Sequence, residues 1–164
     1  MVITDLSTIE RNAATNEEEN FRFQQLLRNE DDNSIDSLVL ALNESISPEI
    51  DCTACGNCCR SLMINVSSND AERLANHLHI SKKTFEEKYV EKSTEGTLAV
   101  MNAIPCHFLH NNKCTVYEAR PDECFEFPGL HKPDFKGRLF ATFMHYGRCP
   151  IIYNVIEALK EELK

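Results

Sequence analysis

The sequence predicts a small α+β domain, mostly helical and rich in loops, with short strands and a helical N-terminal extension. Three observations predict this class. The chain has 164 residues, close to the length of one globular domain. Its eight cysteines all lie between Cys52 and Cys149, and apolar residues recur at helical spacing near both ends of the chain. We therefore expect an acidic helical extension over residues 1–47 and a cysteine cluster domain over residues 48–164.

The charge of the chain is unevenly distributed. The net charge is −9, and residues 1–51 carry all of it, whereas the remainder of the chain is neutral. This change of composition near Pro48 supports a boundary at that point. Because binding to nucleic acid phosphates needs clustered Lys and Arg, we expect no nucleic acid partner.

The N-terminal residues and the hydropathy pattern predict a soluble, cytoplasmic protein. Residues 1–10 lack the basic and apolar regions of a secretory signal. No apolar run approaches the roughly 20 residues that a membrane span needs, so we expect no membrane partner. The cytosol keeps thiols reduced, and eight cysteines in such a chain favour metal or redox chemistry over four structural disulfides.

The N-terminal extension is predicted to form two helices. Thr15 and Glu18 resemble a capping box at the start of the first helix. Asn33 or Ser34 is expected to cap the second helix, which ends at Pro48. The apolar stripes of the two helices consist of Phe23, Leu26, Leu27, Ile35, Leu38, Val39, Leu42 and Ile46. We expect this pair to pack on the cysteine domain, and contact with a protein partner is the alternative.

Helix and strand patterns alternate after the first cysteines. Ser67 and Ser81 are each expected to cap a helix. Residues 97–104 alternate between apolar and polar, as a strand does. The pair Asn111-Asn112 is suited to a tight turn, so we expect a short hairpin between the cysteines on either side of it.

The C-terminal part of the chain is predicted to contain one strand and one helix. Residues 138–144 are the candidate strand. Pro150 stands at the first position of the helix, directly after Cys149. The apolar residues of this helix are Ile152, Val155, Ile156 and Leu159.

The spacing C-x-x-C-x-x-C-C of the first four cysteines is the strongest functional signal. Cysteines separated by two residues can wrap a loop around one metal ion. Adjacent side chains tend to point apart, so Cys58 and Cys59 are expected to serve neighbouring sites. The predicted metal ligands are Cys52, Cys55, Cys58, Cys59, Cys106, Cys114, Cys124 and Cys149.

The spacing of the cysteines fits either zinc or iron as the bound metal. A C-x-x-C-x-x-C run with a remote Cys-Pro pair, here Cys149-Pro150, is typical of ferredoxin ligation and favours a 4Fe-4S cluster. Zinc accepts the same thiolates in tetrahedral sites. Eight thiolates would complete two four-sulfur centres, or one iron-sulfur cluster beside one zinc ion.

Tyr117 and Arg120 are predicted to lie beside the bound cofactor. Both stand between Cys114 and Cys124. An arginine there can donate hydrogen bonds to metal-bound sulfur and offset the negative charge of the thiolates. Pairing of Arg120 with a neighbouring acidic side chain at the surface is the alternative.

Four motifs together identify a resemblance to a known family. They are the run that starts at Cys52, the segment Pro-Cys-His-Phe-Leu around Cys106, the segment 114–128 with its Arg-Pro pair, and Cys149-Pro150. The sequence resembles the YkgJ-type cysteine cluster family, also called the CxxCxxCC family of zinc- or iron-chelating domains. The resemblance covers residues 51–150 and all eight family cysteines. Phe125 departs from the basic residue that is frequent in the family at this position.

The resemblance implies metal chelation and no particular reaction. Some relatives carry the module in flagellin lysine N-methylases, which makes an accessory module of a protein lysine N-methylase one alternative. An iron-sulfur redox or electron-transfer protein is another. The sequence shows no Gly-rich phosphate loop, no Ser/His/Asp set and no paired carboxylates, so we expect a metal-binding protein without catalytic residues.

Overall fold

The chain forms ten α-helices and four short strands in the computed structural model, which describes residues 1–164. The helices are α1 (Leu6–Thr15), α2 (Glu17–Asn29), α3 (Asp32–Ile46), α4 (Cys52–Cys55), α5 (Asn57–Ser61), α6 (Ser68–His77), α7 (Lys82–Tyr89), α8 (Asp122–Glu126), α9 (Leu139–Met144) and α10 (Pro150–Glu162). The strands are β1 (Val90–Lys92), β2 (Ala99–Met101), β3 (Leu109–His110) and β4 (Lys113–Cys114). The strands pair antiparallel as β1-β2 and β3-β4, which confirms the mostly helical α+β class. None of the helices combines the length and the apolar character that crossing a membrane requires.

The chain divides into two compact units. The first unit contains Met1–Asp51 and Pro128–Lys164, and the second contains Cys52–Phe127. The sequence predicts a domain boundary at residue 47. It does not predict the return of the chain to the first unit after Phe127. The independence of residues 1–47 from the rest of the chain stays a prediction.

The first unit is built around α10, whose side chains are buried on nearly every side. Ile152, Val155 and Ile156 are almost completely buried. The helices α3 and α1 pack against α10, and α3 buries Ile35 and Val39 in the process. The N-terminal helices therefore bury part of their apolar stripes within this unit, whereas Leu26 stays 39% exposed. The helix α10 begins at Pro150 as predicted.

The N-terminal segment contains one helix more than the sequence predicted. Asp5 caps α1 by accepting a hydrogen bond of 2.7 Å from the backbone N–H of Thr8. The capping box predicted at Thr15 is wrong, because Thr15 ends α1 and donates its hydroxyl to the carbonyl oxygen of Arg11. The helix α1 buries Ile9 alone, and few large apolar residues mark this helix in the sequence.

Three further local predictions differ from the structure. Asp31, and not Asn33 or Ser34, caps α3 by accepting the Ser34 backbone N–H at 2.8 Å. The predicted strand at 138–144 is wrong, since this stretch forms the last residue of a 3-10 turn and then α9; short apolar runs fit helix and strand equally well. The strand predicted at 97–104 is present but covers three residues.

The second unit has an apolar core of its own. The helices α6 and α7 pack together, and Phe85 of α7 is completely buried between them and the strands. Its ring centroid lies 5.3 Å from that of Tyr89 and 6.5 Å from that of Phe108. Ser67 and Ser81 cap α6 and α7, as the sequence predicted.

An ion pair on α6 holds the segment that leads into α8. The buried carboxylate of Asp70 accepts a hydrogen bond of 3.0 Å from the backbone N–H of Asp122. The guanidinium of Arg73 donates to Asp70 Oδ1 at 2.5 Å and to the carbonyl oxygen of Arg120 at 2.9 Å. Because α8 carries Cys124, this Asp70-Arg73 clamp helps to position that thiol.

Asp70→Asn is expected to lower the free energy of unfolding by about 2 kcal/mol, because it removes the charged acceptor of Arg73. Burial opposes ionisation of Asp70, but hydrogen bonds from Ser67, Asp122 and Arg73 outweigh it and lower the pKa. Ionised Asp70 therefore contributes its full stabilisation of the fold above its pKa in the unfolded chain, which is about 4. The contribution is lost as the pH falls through the lower pKa that Asp70 has in the folded protein. Urea unfolding should separate wild type from variant at neutral pH, and the two curves should converge in acid.

Asp122→Asn is the matched control for this prediction. Its carboxylate lies 2.9 Å from the same Arg73 guanidinium, but its side chain is 66% exposed. Exposed ion pairs contribute less than about 1 kcal/mol, so the loss should be smaller. Equal losses of unfolding free energy in Asp70→Asn and Asp122→Asn would show that burial does not strengthen the ion pair of Asp70 with Arg73.

Candidate metal centre

Seven of the eight predicted ligands lie in the second unit. The exception is Cys149, which lies in the first unit, where it is 8% exposed and precedes α10. The seven come from three segments: the α4-α5 region, the segment with Cys106 and the β3-β4 hairpin, and α8. The local structure of these segments determines which thiols meet.

The first four cysteines lie on two very short helices. The helix α4 carries Cys52 and Cys55, and α5 carries Cys58 and Cys59. Neither helix buries a residue, so little apolar packing holds this region. Cys52 is exposed, and the other three thiols are half-buried. The loop is therefore held mainly by polar contacts.

The hairpin β3-β4 follows the sequence prediction closely. Asn111 and Asn112 form its turn with φ angles of 47° and 64°. A two-residue hairpin turn of this kind needs positive φ at both positions, which asparagine tolerates. In the ladder, Leu109 pairs with Cys114, so the thiol of Cys114 is fixed by the register of the hairpin.

Polar contacts join the α4-α5 region to the hairpin. The backbone N–H of Cys106 donates to the carbonyl oxygen of Cys59 at 2.8 Å. Arg60 donates to the carbonyl oxygen of Cys55 at 2.7 Å and also to the side-chain oxygen of Asn112. These bonds bring two sequence-distant cysteine segments together.

Five thiols lie close enough to alter one another's ionisation, and we call them the thiol cluster: Cys58, Cys59, Cys106, Cys114 and Cys124. A hydrogen bond from the Cys59 thiol stabilises the Cys58 thiolate and lowers the pKa of Cys58 to about 6. The same bond, burial and the charge of Cys58 raise the pKa of Cys59. Burial raises the pKa of Cys106 and Cys114, and raises that of Cys124 to about 12 with a contribution from the neighbouring thiolates.

The side chains of Cys58 and Cys59 lie close enough to share a hydrogen bond, and the expectation that the two residues serve neighbouring sites stays a prediction. Adjacent residues on a helix are rotated by about 100°, which still allows two sulfur atoms to meet. No group of three or more His, Cys, Asp or Glu side chains is arranged in this structure so that it could hold a metal ion. The thiol cluster is thus a set of neighbouring donors, and the division of eight cysteines into two centres stays a prediction.

Arg120 lies between two aromatic rings beside the thiol cluster. Its guanidinium carbon is 3.8 Å from the ring centroid of Tyr117 and 3.7 Å from that of Phe125. One guanidinium nitrogen donates to the carbonyl oxygen of Tyr117 at 2.6 Å. The positive charge of Arg120 acts to lower the pKa of Cys114 and Cys124, against the larger effect of burial. Sequence reasoning selected Tyr117 and Arg120 but missed Phe125, which it treated only as a departure from the family pattern.

Glu123, a residue of α8, contacts Asn65 and holds this helix from a second side. The backbone N–H and the side-chain amide of Asn65 donate to its two carboxylate oxygens at 2.8 and 2.5 Å. Asn65 in turn forms a β-bridge with Val100. Together with the Asp70-Arg73 clamp, this contact fixes the short helix that carries Cys124.

Gly56→Ala is expected to weaken both the fold of the second unit and its capacity for metal. Gly56 joins α4 to α5 with a φ of 57°, and an added Cβ would lie 2.8 Å from the carbonyl oxygen of Asn112. The variant therefore meets a backbone collision in addition to the roughly 1–2 kcal/mol cost of a left-handed alanine. Urea unfolding and metal content per chain measure the two effects.

Gly96→Ala is the control, since Gly96 has a φ of 68° but no atom lies within 4 Å of an added Cβ. It should show the conformational cost alone and keep its metal. Equal losses of stability and of metal in the two variants would show that the close contact of Gly56 with the hairpin has no effect beyond that of its backbone conformation.

Comparison with known proteins gives one match. A family model described as "CxxCxxCC: Putative zinc- or iron-chelating domain" matches residues 51–142. No curated protein and no solved structure matched the chain. The matched region contains seven of the eight predicted ligands, including the whole thiol cluster.

Proposed function

The chain belongs to the CxxCxxCC family, and from this membership we propose that it is a metal-binding protein that chelates zinc or iron through its cysteines. The observation that carries the proposal is the thiol cluster, in which three separate segments bring five sulfur donors within electrostatic reach of one another. No catalytic residues are proposed.

The donor chemistry fits either metal. Thiolate sulfur is a preferred ligand of both zinc and iron-sulfur centres. The thiol cluster would supply most of the ligands, with Cys52 and Cys55 on the adjoining loop and Cys149 as the eighth proposed ligand. A bound metal would cross-link segments that have little apolar packing and would contribute to folding free energy.

Arg120 and Tyr117 are proposed to support the bound form of the site. A set of thiolates carries excess negative charge, which a neighbouring guanidinium offsets. Tyr117 holds the guanidinium by its ring and its carbonyl oxygen. The site then pairs sulfur donors with a fixed positive charge.

The finer alternatives use the same residues. A 4Fe-4S cluster in the site would make the protein a candidate for redox or electron-transfer chemistry. The role of accessory module to a protein lysine N-methylase is implied by the family resemblance alone. We further propose a cytoplasmic location, which the eight cysteines of the chain support because the cytosol keeps thiols reduced. A protein partner is proposed to bind through the N-terminal helices, and no nucleic acid or membrane partner is proposed.

Elemental analysis of protein purified without oxygen, together with its absorption spectrum, tests the proposal. Stoichiometric zinc in a colourless protein would select the structural form of the proposal. A brown protein with iron and broad absorption near about 400 nm would select the iron-sulfur form. A folded protein with neither metal and with freely titrating thiols would contradict both.

A further inference from the structure

The first unit contains an open groove of about 470 Å³ between α1-α2 and the segment that joins α9 to α10. Its apolar lining consists of Ala13, Ala14, Phe21, Phe143 and Met144. At its base the backbone of Gly147 approaches α1 so closely that an added Cβ would lie 2.9 Å from the Ala13 methyl group. The backbone at Gly147 therefore packs closely on α1. No residue proposed as a metal ligand lines the groove.

Large apolar side chains border this groove and remain exposed. The exposed fractions are 63% for Phe21 and 51% for Met144. Phe140, one turn before Met144 on α9, is 80% exposed. Single exposed apolar residues are common, but several around one groove mark an interaction surface. Methionine adapts well to the shape of a bound partner.

The groove also has a charged edge and an unsatisfied polar atom. Glu10 and Glu17 line it and are exposed, in a segment that carries the whole net charge of the chain. Arg148 is the one basic residue in the lining. Asn20 is 7% exposed, and its side-chain oxygen has no hydrogen-bond partner. The acidic charges are complementary to an occupant that carries positive charge.

We propose that this groove binds a basic amphipathic helix of a partner protein. The helix would insert apolar side chains from successive turns between Phe21 and Met144, and its Lys or Arg residues would face Glu10 and Glu17. The open shape of the groove suits an extended surface of this kind better than an enclosed small molecule. The inference rests on the proposed partner contact of the N-terminal helices and is independent of the identity of the metal.

The test uses full-length, metal-containing protein and a labelled helical peptide of 14 residues composed of Leu and Lys on opposite faces. The same peptide with Glu in place of Lys is the control ligand. Fluorescence anisotropy should show binding of the Lys peptide only. Phe21→Ser with Met144→Ser should weaken it by about tenfold or more, which is typical of losing anchor side chains. Glu10→Gln with Glu17→Gln should weaken it and reduce its dependence on salt.

Matched control variants lie outside the groove. Leu98→Ser removes a side chain that is 62% exposed, and Glu91→Gln with Glu95→Gln removes two exposed charges in the second unit. These controls should bind the Lys peptide as the wild type does. Equal affinity in groove and control variants would overturn the inference, because attraction would then be general.

Two further measurements separate the remaining outcomes. A full-length dimer that Phe21→Ser dissociates would overturn the inference, since the groove would then accept a second copy of the chain. Metal content should be the same in all groove variants. If a metal-loaded protein does not bind the peptide, the proposed binding groove is therefore contradicted and the metal site is unaffected. If the protein contains no metal, the proposed metal site is contradicted and the groove is unaffected.

Discussion

Cys58→Ser is expected to remove bound zinc or iron from the protein almost completely. Cys58 is the one thiol that affects the ionisation of all four other members of the thiol cluster. Serine has nearly the same size but lacks a thiolate for a soft metal. Loss of an outer-shell partner costs roughly 10- to 100-fold in metal affinity, and loss of a ligand should exceed this. Metal content per chain and competition with a chelator measure the effect.

Met63→Leu is the matched control, because it removes a sulfur atom from the same region without removing a thiol. Its side chain is 56% exposed, so its replacement should leave the fold unchanged. We expect normal metal content in this variant. A Cys58→Ser protein that retains metal with the affinity of the wild type would remove Cys58 from the proposed ligand set.

Removal of the metal is expected to loosen the second unit while the first unit keeps its protection. The short helices α4 and α5 bury no residue, so a bound metal is their main expected cross-link. The helix α10, in contrast, is buried along most of its length, so we expect its packing to hold it in place after the metal is removed. Amide hydrogen exchange before and after chelation should show faster exchange around residues 52–62 and 106–127.

Two regions serve as internal references in that experiment. Exchange in α10 should change little, and exchange in α6 should change less than in α5, because α6 packs in the apolar core of the second unit. Identical exchange with and without metal throughout residues 52–127 would contradict a structural role for the metal.

Local sequence chemistry predicted those elements whose signals lie within a few residues. The serine caps of α6 and α7 and the Pro150 start of α10 use side chains next to the helix end. The hairpin turn at Asn111-Asn112 was predictable because few residues accept its backbone angles. The spacing of the first four cysteines indicated the α4-α5 region, because cysteines separated by two residues can wrap a loop around one metal ion.

The remaining features depend on contacts between distant parts of the chain. The bonds of Asp70 and Arg73 to the segment before α8 span about fifty residues and leave no periodic signal. Phe125 lies against the guanidinium of Arg120, and no local pattern in the sequence predicts this contact. The helix α1, which has few large apolar residues, and the return of the chain to the first unit after Phe127 were not predicted, because tertiary packing decides them.

X-ray absorption at the edge of the metal found in anaerobically purified protein tests whether cysteine sulfur binds that metal, because it reports the ligand atoms themselves. We expect a first shell of sulfur, at about 2.3 Å if the metal is zinc, and loss of that shell in Cys58→Ser. A shell of nitrogen and oxygen atoms, or a sulfur shell that Cys58→Ser leaves intact, would contradict this expectation.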